Sequence, residues 1–141
     1  MIDISELKKE MYDVVGALYE VHKNMGPGLN EAVYQEALEM ELKRREVPFE
    51  RELTFHPIYK GTQMSTTYRL DFLCKKSIIV ECKSVSELNA NNVAQLFNYM
   101  RLLKLPIGII VNFSPKCVDI QRYFYDKEEE EVINVYGNPV Y

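Results

Sequence analysis

The chain has 141 residues, 47% of them hydrophobic and 27% charged, with a net charge of −4. These values predict one folded domain with a sizeable core and argue against disorder. The charged N-terminus does not suit a signal peptide, and the longest apolar run, Leu105 to Val111, is too short to cross a bilayer.

The first predicted element spans residues 5–25, where Leu7, Met11, Val14, Leu18, Val21 and Met25 recur at steps of four and three. That spacing makes one buried stripe on an amphipathic helix. Met25-Gly26-Pro27-Gly28 ends it, because Gly can take the left-handed cap conformation and Pro27 cannot continue the ladder. Asn30 is an N-cap for a second helix over 31–46, with Val33, Tyr34, Ala37, Leu38 and Leu42 inward, and Val47-Pro48 stops it.

Three strand segments follow. Phe49 to Ile58 alternates, Lys60-Gly61-Thr62-Gln63 is a turn, and the strand around Asp71 leads through Lys75-Lys76-Ser77 into the strand ending at Lys83. Asn91 to Lys104 returns to helical spacing, with Val93, Leu96, Phe97, Met100 and Leu103 inward. Ile107 to Phe113 is a continuous apolar run, as a strand buried on both faces requires. Ile120 to Tyr125 and Val132 to Val135 are further strand candidates. The core order is therefore α-α-β-β-β-α-β: an antiparallel meander, then a helix that permits a parallel crossover. Residues 1–125 form the expected domain, and 126–141 an acidic C-terminal segment able to add an edge strand. That segment sets five acids against Lys127 alone, so the body of the chain is neutral and neither invites nor forbids a phosphate backbone.

Glu81 and Lys83 lie two apart on one strand and share a face, and Asp71 can lie across from them on the neighbouring strand. Two carboxylates and an ammonium on one patch can hold a hard divalent cation and activate water for attack on phosphorus. The same residues can instead form cross-strand salt bridges on a solvated face. Gln95 and Tyr99, four apart, stack on one helical face, as core-edge packing or as substrate contacts. Glu31 opens the second helix, where the macrodipole favours an acid; it is also a candidate third carboxylate, with Gly28 turning the chain and Tyr34 packing one turn below. His22 sits near the end of the first helix, where a dipole role competes with a site role.

Two histidines without His-x-x-x-His spacing, and Cys74, Cys82 and Cys117 without a Cys-x-x-Cys pair, argue against zinc. The cysteines read as reduced thiols in a cytoplasmic protein. The chain has neither a Gly-x-x-x-x-Gly-Lys loop nor a Gly-x-Ser-x-Gly elbow, so nucleoside triphosphatase and serine hydrolase chemistry lack support.

Gly28-Leu29-Asn30-Glu31-Ala32-Val33-Tyr34 resembles the signature of the GxxExxY protein family. Asp71…Glu81-Cys82-Lys83, followed by Gln95-Leu96-Phe97-Asn98-Tyr99, resembles the active-site pattern of the PD-(D/E)XK nuclease superfamily, to which that family is assigned. The similarity runs from about Val21 through Phe113. It implies a restriction-endonuclease-like α/β core, a mixed sheet flanked by helices, with a Mg²⁺ site (Mn²⁺ substituting) on its acidic edge. It further implies Asp71 and Glu81 as metal ligands, with the Cys82 backbone carbonyl completing the shell. By the same resemblance Lys83 acts on the attacking water, Glu31 is an outer or second-metal carboxylate, and Gln95 and Tyr99 steady the substrate.

The expected function is therefore a metal-dependent phosphodiester hydrolase acting on nucleic acid, DNA foremost, with no membrane partner. A homo-oligomer is compatible with the sequence but not specified by it. The alternative is a nuclease-fold binding or scaffold protein without catalysis. The near-neutral body charge favours that alternative, and the intact Asp71, Glu81 and Lys83 favour the enzyme.

Overall fold

The apolar stripe from Leu7 to Met25 forms helix in two pieces. In the computed structural model, which describes residues 2–141, these are α1 (Ile4–Glu10) and α2 (Tyr12–Met25), broken at the buried Met11. Asp3 caps α1 by accepting from Glu6 N at 3.3 Å. The break lies against the Lys75-Lys76-Ser77 turn. There Lys75 Nζ donates to the Glu10 carbonyl at 2.8 Å and pairs with Asp13 Oδ1 at 2.7 Å. A helical stripe reports burial on both sides of such a break equally, so periodicity does not reveal it.

The remaining elements are α3 (Glu31–Arg44), β1 (Phe49–Phe55), β2 (Ile58–Tyr59), β3 (Thr62–Gln63), β4 (Tyr68–Cys74), β5 (Ile78–Lys83), α4 (Ala90–Leu103), β6 (Ile107–Asn112), β7 (Asp119–Asp126) and β8 (Glu131–Ile133). Six strands form one sheet in the order β1-β4-β5-β6-β7-β8. β5 and β6 are parallel, joined by α4 as a crossover, and the other neighbours are antiparallel. This is the restriction-endonuclease-like mixed sheet flanked by helices.

Two differences from the sequence reading bear on function. Lys60-Gly61 turns a small separate hairpin, β2–β3, instead of leading directly into the Asp71 strand. The acidic segment is exposed over residues 127–130, but Val132 and Ile133 are buried in β8. The chain beyond β8 folds back on it, with Val140 N bonding Val132 O at 2.8 Å.

Cores form on both sheet faces. One packs Val14, Leu18, Tyr34 and Leu38 of α2 and α3 against Phe72, Val80 and Val111. The other packs Leu96, Phe97, Tyr99 and Met100 of α4 against Leu70, Ile79 and Ile110. Gly108 is what lets α4 approach β6, since a Cβ there would stand 2.3 Å from Met100 Sδ. Val33 and Met25, expected inside, are 36% and 40% exposed.

Candidate active site

The alternation of β5 sends Val80 and Cys82 to the α2–α3 core and Ile79 to the α4 core, so Glu81 and Lys83 project on the α4 side. Asp71 arrives on the neighbouring β4. The Asp71 Oδ2 atom accepts from Cys82 N at 2.8 Å, and Asp71 N donates to Glu81 Oε1 at 3.4 Å. Each carboxylate is thus held by the backbone beside the other.

Glu81 is only 7% exposed. Burial raises its pKa well above the ordinary carboxylate value, and the neighbouring Asp71 carboxylate pushes the same way; the bond from Asp71 N and the Lys83 charge oppose them. Glu31, at the start of α3, has its pKa raised by burial, lowered by Lys83 and raised by Asp71. The Glu31 and Glu81 carboxyls thus both sense the charges of Asp71 and Lys83. Among the described residues none of the four stands in an ion pair within 4 Å, so direct cross-strand salt bridging does not explain them.

The turn carrying Glu31 is built from the motif residues. Gly28 has φ +78°, in the left-handed region, with nothing within 4 Å of where a Cβ would stand; conformation, not close packing, asks for glycine. Asn30 occupies the N-cap position of α3 without a side-chain capping bond. Tyr34 is fully buried and stacks on Phe113 with centroids 4.6 Å apart. Its hydroxyl donates to Gly26 O at 2.6 Å and accepts from Leu29 N at 3.0 Å, and Ser84 Oγ bonds Leu29 O. Tyr34 and Ser84 thus tie the Gly26–Leu29 turn to the core and to the end of β5.

On α4, Gln95 Nε2 donates to Tyr99 Oη at 2.5 Å. Gln95 is exposed, while Tyr99 is 6% exposed and meets Phe55 and Tyr68 edge-on at 5.7 and 5.6 Å. Burial raises the Tyr99 pKa, the Gln95 bond lowers it, and the Glu81 and Asp71 charges raise it. His22 Nε2 lies 2.9 Å from Pro115 O and ties α2 to the segment after β6. Cys82 is buried with Cys74 in the α2–α3 core, so only its backbone can serve the carboxylate side.

One contributor has no motif to announce it. Asn112, 1% exposed, pairs in register with Lys83. Its Oδ1 accepts from Val85 N at 3.1 Å and Ser114 N at 3.3 Å, and its Nδ2 donates to Val85 O at 2.9 Å. A polar residue inside the otherwise apolar run Ile107 to Phe113 was the available signal, because a buried amide needs partners.

Among the described residues no three His, Cys, Asp or Glu side chains gather closely enough to hold an ion by themselves. The Asp71–Glu81 pair nevertheless fits a hard divalent cation. Mg²⁺ commonly binds through one or two carboxylates and keeps several waters, and a cation here would offset the burial and the Asp71 charge that disfavour ionised Glu81.

The family model described as PD-(D/E)XK nuclease superfamily matches residues 8–123. No curated protein matches the chain in sequence. Among solved structures, a crystal structure of SSO0001 is similar with a TM-score of 0.53 and 19% identity, covering 79% of this chain and 52% of that one. The chain thus spans about half the length of that protein, and at this identity the likeness speaks for the fold.

Proposed function

The chain belongs to the PD-(D/E)XK nuclease superfamily, and on that premise we propose that it hydrolyses phosphodiester bonds in nucleic acid, DNA foremost, using Mg²⁺ with Mn²⁺ able to substitute. Within the superfamily we assign it to the GxxExxY family, on Gly28, Glu31 and Tyr34. The observation that carries the reading is the mutual hold of Asp71 and Glu81 beside Lys83.

When bound, the cation neutralises charge on the phosphoryl group and lowers the pKa of a coordinated water. Asp71, Glu81 and the Cys82 carbonyl would hold it. Lys83 orients the attacking water and places its ammonium where negative charge grows in the transition state. Glu31 is the outer carboxylate, Gln95 and Tyr99 steady the strand, and Tyr34, Gly28 and His22 keep the turn and its surroundings in place.

Charge distribution supports a nucleic-acid substrate despite the net −4. The segments 53–70 and 88–118, which hold the β2–β3 hairpin and α4, contain no Asp or Glu. No described helix is long and apolar enough to cross a membrane. We place the enzyme in the cytoplasm, on its three free cysteines, and take residues 1–125 as the catalytic domain with 126–141 as its C-terminal segment.

The test is cleavage of single-stranded, duplex, flap and branched substrates. Cutting should require Mg²⁺ or Mn²⁺ and vanish in Glu81→Gln. No cleavage of any of them would overturn the enzymatic reading, and binding without cleavage would favour a binding module.

A further inference from the structure

The β2–β3 hairpin leaves the sheet at the edge where the carboxylates lie. β1 ends at Phe55 and β4 begins at Tyr68, and these two residues pair. The base of the hairpin is braced: Met64 N donates to Pro57 O at 2.8 Å, and His56 Nδ1 lies 3.1 Å from Thr66 O. Its root is the aromatic group Phe55, Tyr68 and Tyr99, which joins it to the site.

Beyond that root the hairpin turns outward. Ile58 is 69% exposed, Tyr59 64% and Met64 43%. Single exposed apolar residues are ordinary, but three within seven residues beside a reaction site point to a partner. The hairpin's charge says which partner. From Leu53 to Leu70 there is no acid, while Lys60 and Arg69 are basic, and the Lys60 ammonium lies 5.6 Å from the centre of the Tyr59 ring. An aromatic face beside a cation suits a base and its phosphate. A duplex hides its base faces in the stack, whereas a single strand offers them.

We propose that the β2–β3 hairpin is a binding arm for unpaired bases, with Tyr59 stacking on a base and Lys60 contacting the backbone, so that the substrate contains a single-stranded segment. This substrate class rests on the nuclease reading, but the binding step can be measured without it.

The experiment is fluorescence anisotropy of a labelled single strand and its duplex with the full chain in EDTA, where metal-dependent cutting is suppressed. Tyr59→Ala should weaken single-strand binding roughly 5- to 150-fold, the range set by loss of one stacked base, and leave duplex binding unchanged. Tyr59→Phe should bind within about twofold of wild type, since stacking needs the ring and not the hydroxyl. Lys60→Gln should reduce the salt slope for the single strand by about 0.7. A 2-aminopurine base in the strand should change its fluorescence on binding wild type but not Tyr59→Ala. Equal affinity of wild type and Tyr59→Ala, or no single-strand binding, overturns the arm. Cleavage confined to fully paired duplex overturns it too, with the nuclease reading intact. Tyr59-dependent binding without cleavage in Mg²⁺ upholds the arm and overturns the nuclease reading.

Discussion

Glu52 and Asp71 face each other across β1 and β4 at the one position between Phe49 and Phe55 where pairing lapses. Glu52 has φ +56°, a left-handed conformation inside a strand. Both strands change faces there. Phe49 and Phe72 pack with the α2–α3 core, while Leu53, Phe55, Leu70 and Tyr68 pack with the α4 core. Residues two apart on a regular strand share a face, so the kink is what carries the ends of β1 and β4, and the hairpin between them, to the α4 side. It also frees Asp71 from the β1 ladder at the point where its carboxylate turns to Cys82 N.

A β-branched residue tolerates that φ poorly. Glu52→Val should therefore lower stability by about 1–3 kcal/mol in urea unfolding, whereas Glu52→Gly should not. Calorimetric Mn²⁺ titration should show weaker binding for Val than for Gly. Full stability and metal affinity in Glu52→Val would mean that the kink is incidental to the site.

The raised pKa of Glu81 gives the metal-free protein a particular pH dependence. A carboxyl whose folded pKa exceeds its unfolded value binds a proton more tightly when folded. Its contribution to stability is complete below the ordinary value of 4.5 and is lost as pH rises through the folded pKa. Glu39 acts in the opposite sense, since Arg51 lowers its pKa, so the comparison must be wild type against Glu81→Gln. Without metal, the stability of wild type relative to Glu81→Gln should decline from about pH 4.5 upward. Mn²⁺ at neutral pH should restore it for wild type only, and a pH-independent difference would show that Glu81 ionises freely.

Much of this was legible in the residues. Period two placed Glu81 and Lys83 on one face, and the run from Ile107 to Phe113 read as an inner strand, which it is. The kink was not legible, because Glu52 continues the alternation of β1 on paper and only backbone angles reveal its φ. The hairpin escaped for another reason: Ile58-Tyr59 and Thr62-Gln63 are two residues each, too short to show any period. Asn112 could be flagged as a buried amide, but its partner Val85 lies 27 residues away.

On the proposed nuclease reading, that amide positions the segment that follows Lys83. Asn112→Ala would leave the Val85 N–H and C=O without it, at a cost of about 1–3 kcal/mol. The released segment begins two residues after Lys83, so kcat should fall with little change in KM. Asn112→Asp retains the acceptor for Val85 N and Ser114 N and should keep more activity. Loss of stability with kcat intact would make the clamp purely structural.

Lys83 is the residue on which catalysis and structure separate most cleanly. It is half-buried at the end of β5, and among the described residues it makes no ion pair within 4 Å. Removing its ammonium therefore breaks no direct bond, and Lys83→Ala should change stability by less than about 1 kcal/mol. Its field acts on Glu31 and Glu81, favouring the charged carboxylates, so Lys83→Ala should also weaken metal binding modestly. If the ammonium stabilises the charge that grows on phosphorus-bound oxygen, turnover should fall by roughly 10²–10³. Lys83→Arg keeps the charge but replaces a point donor with a planar fork, and should recover metal affinity more fully than turnover. Matched losses of stability and activity in Lys83→Ala would instead make Lys83 a structural counter-ion for the buried carboxylates.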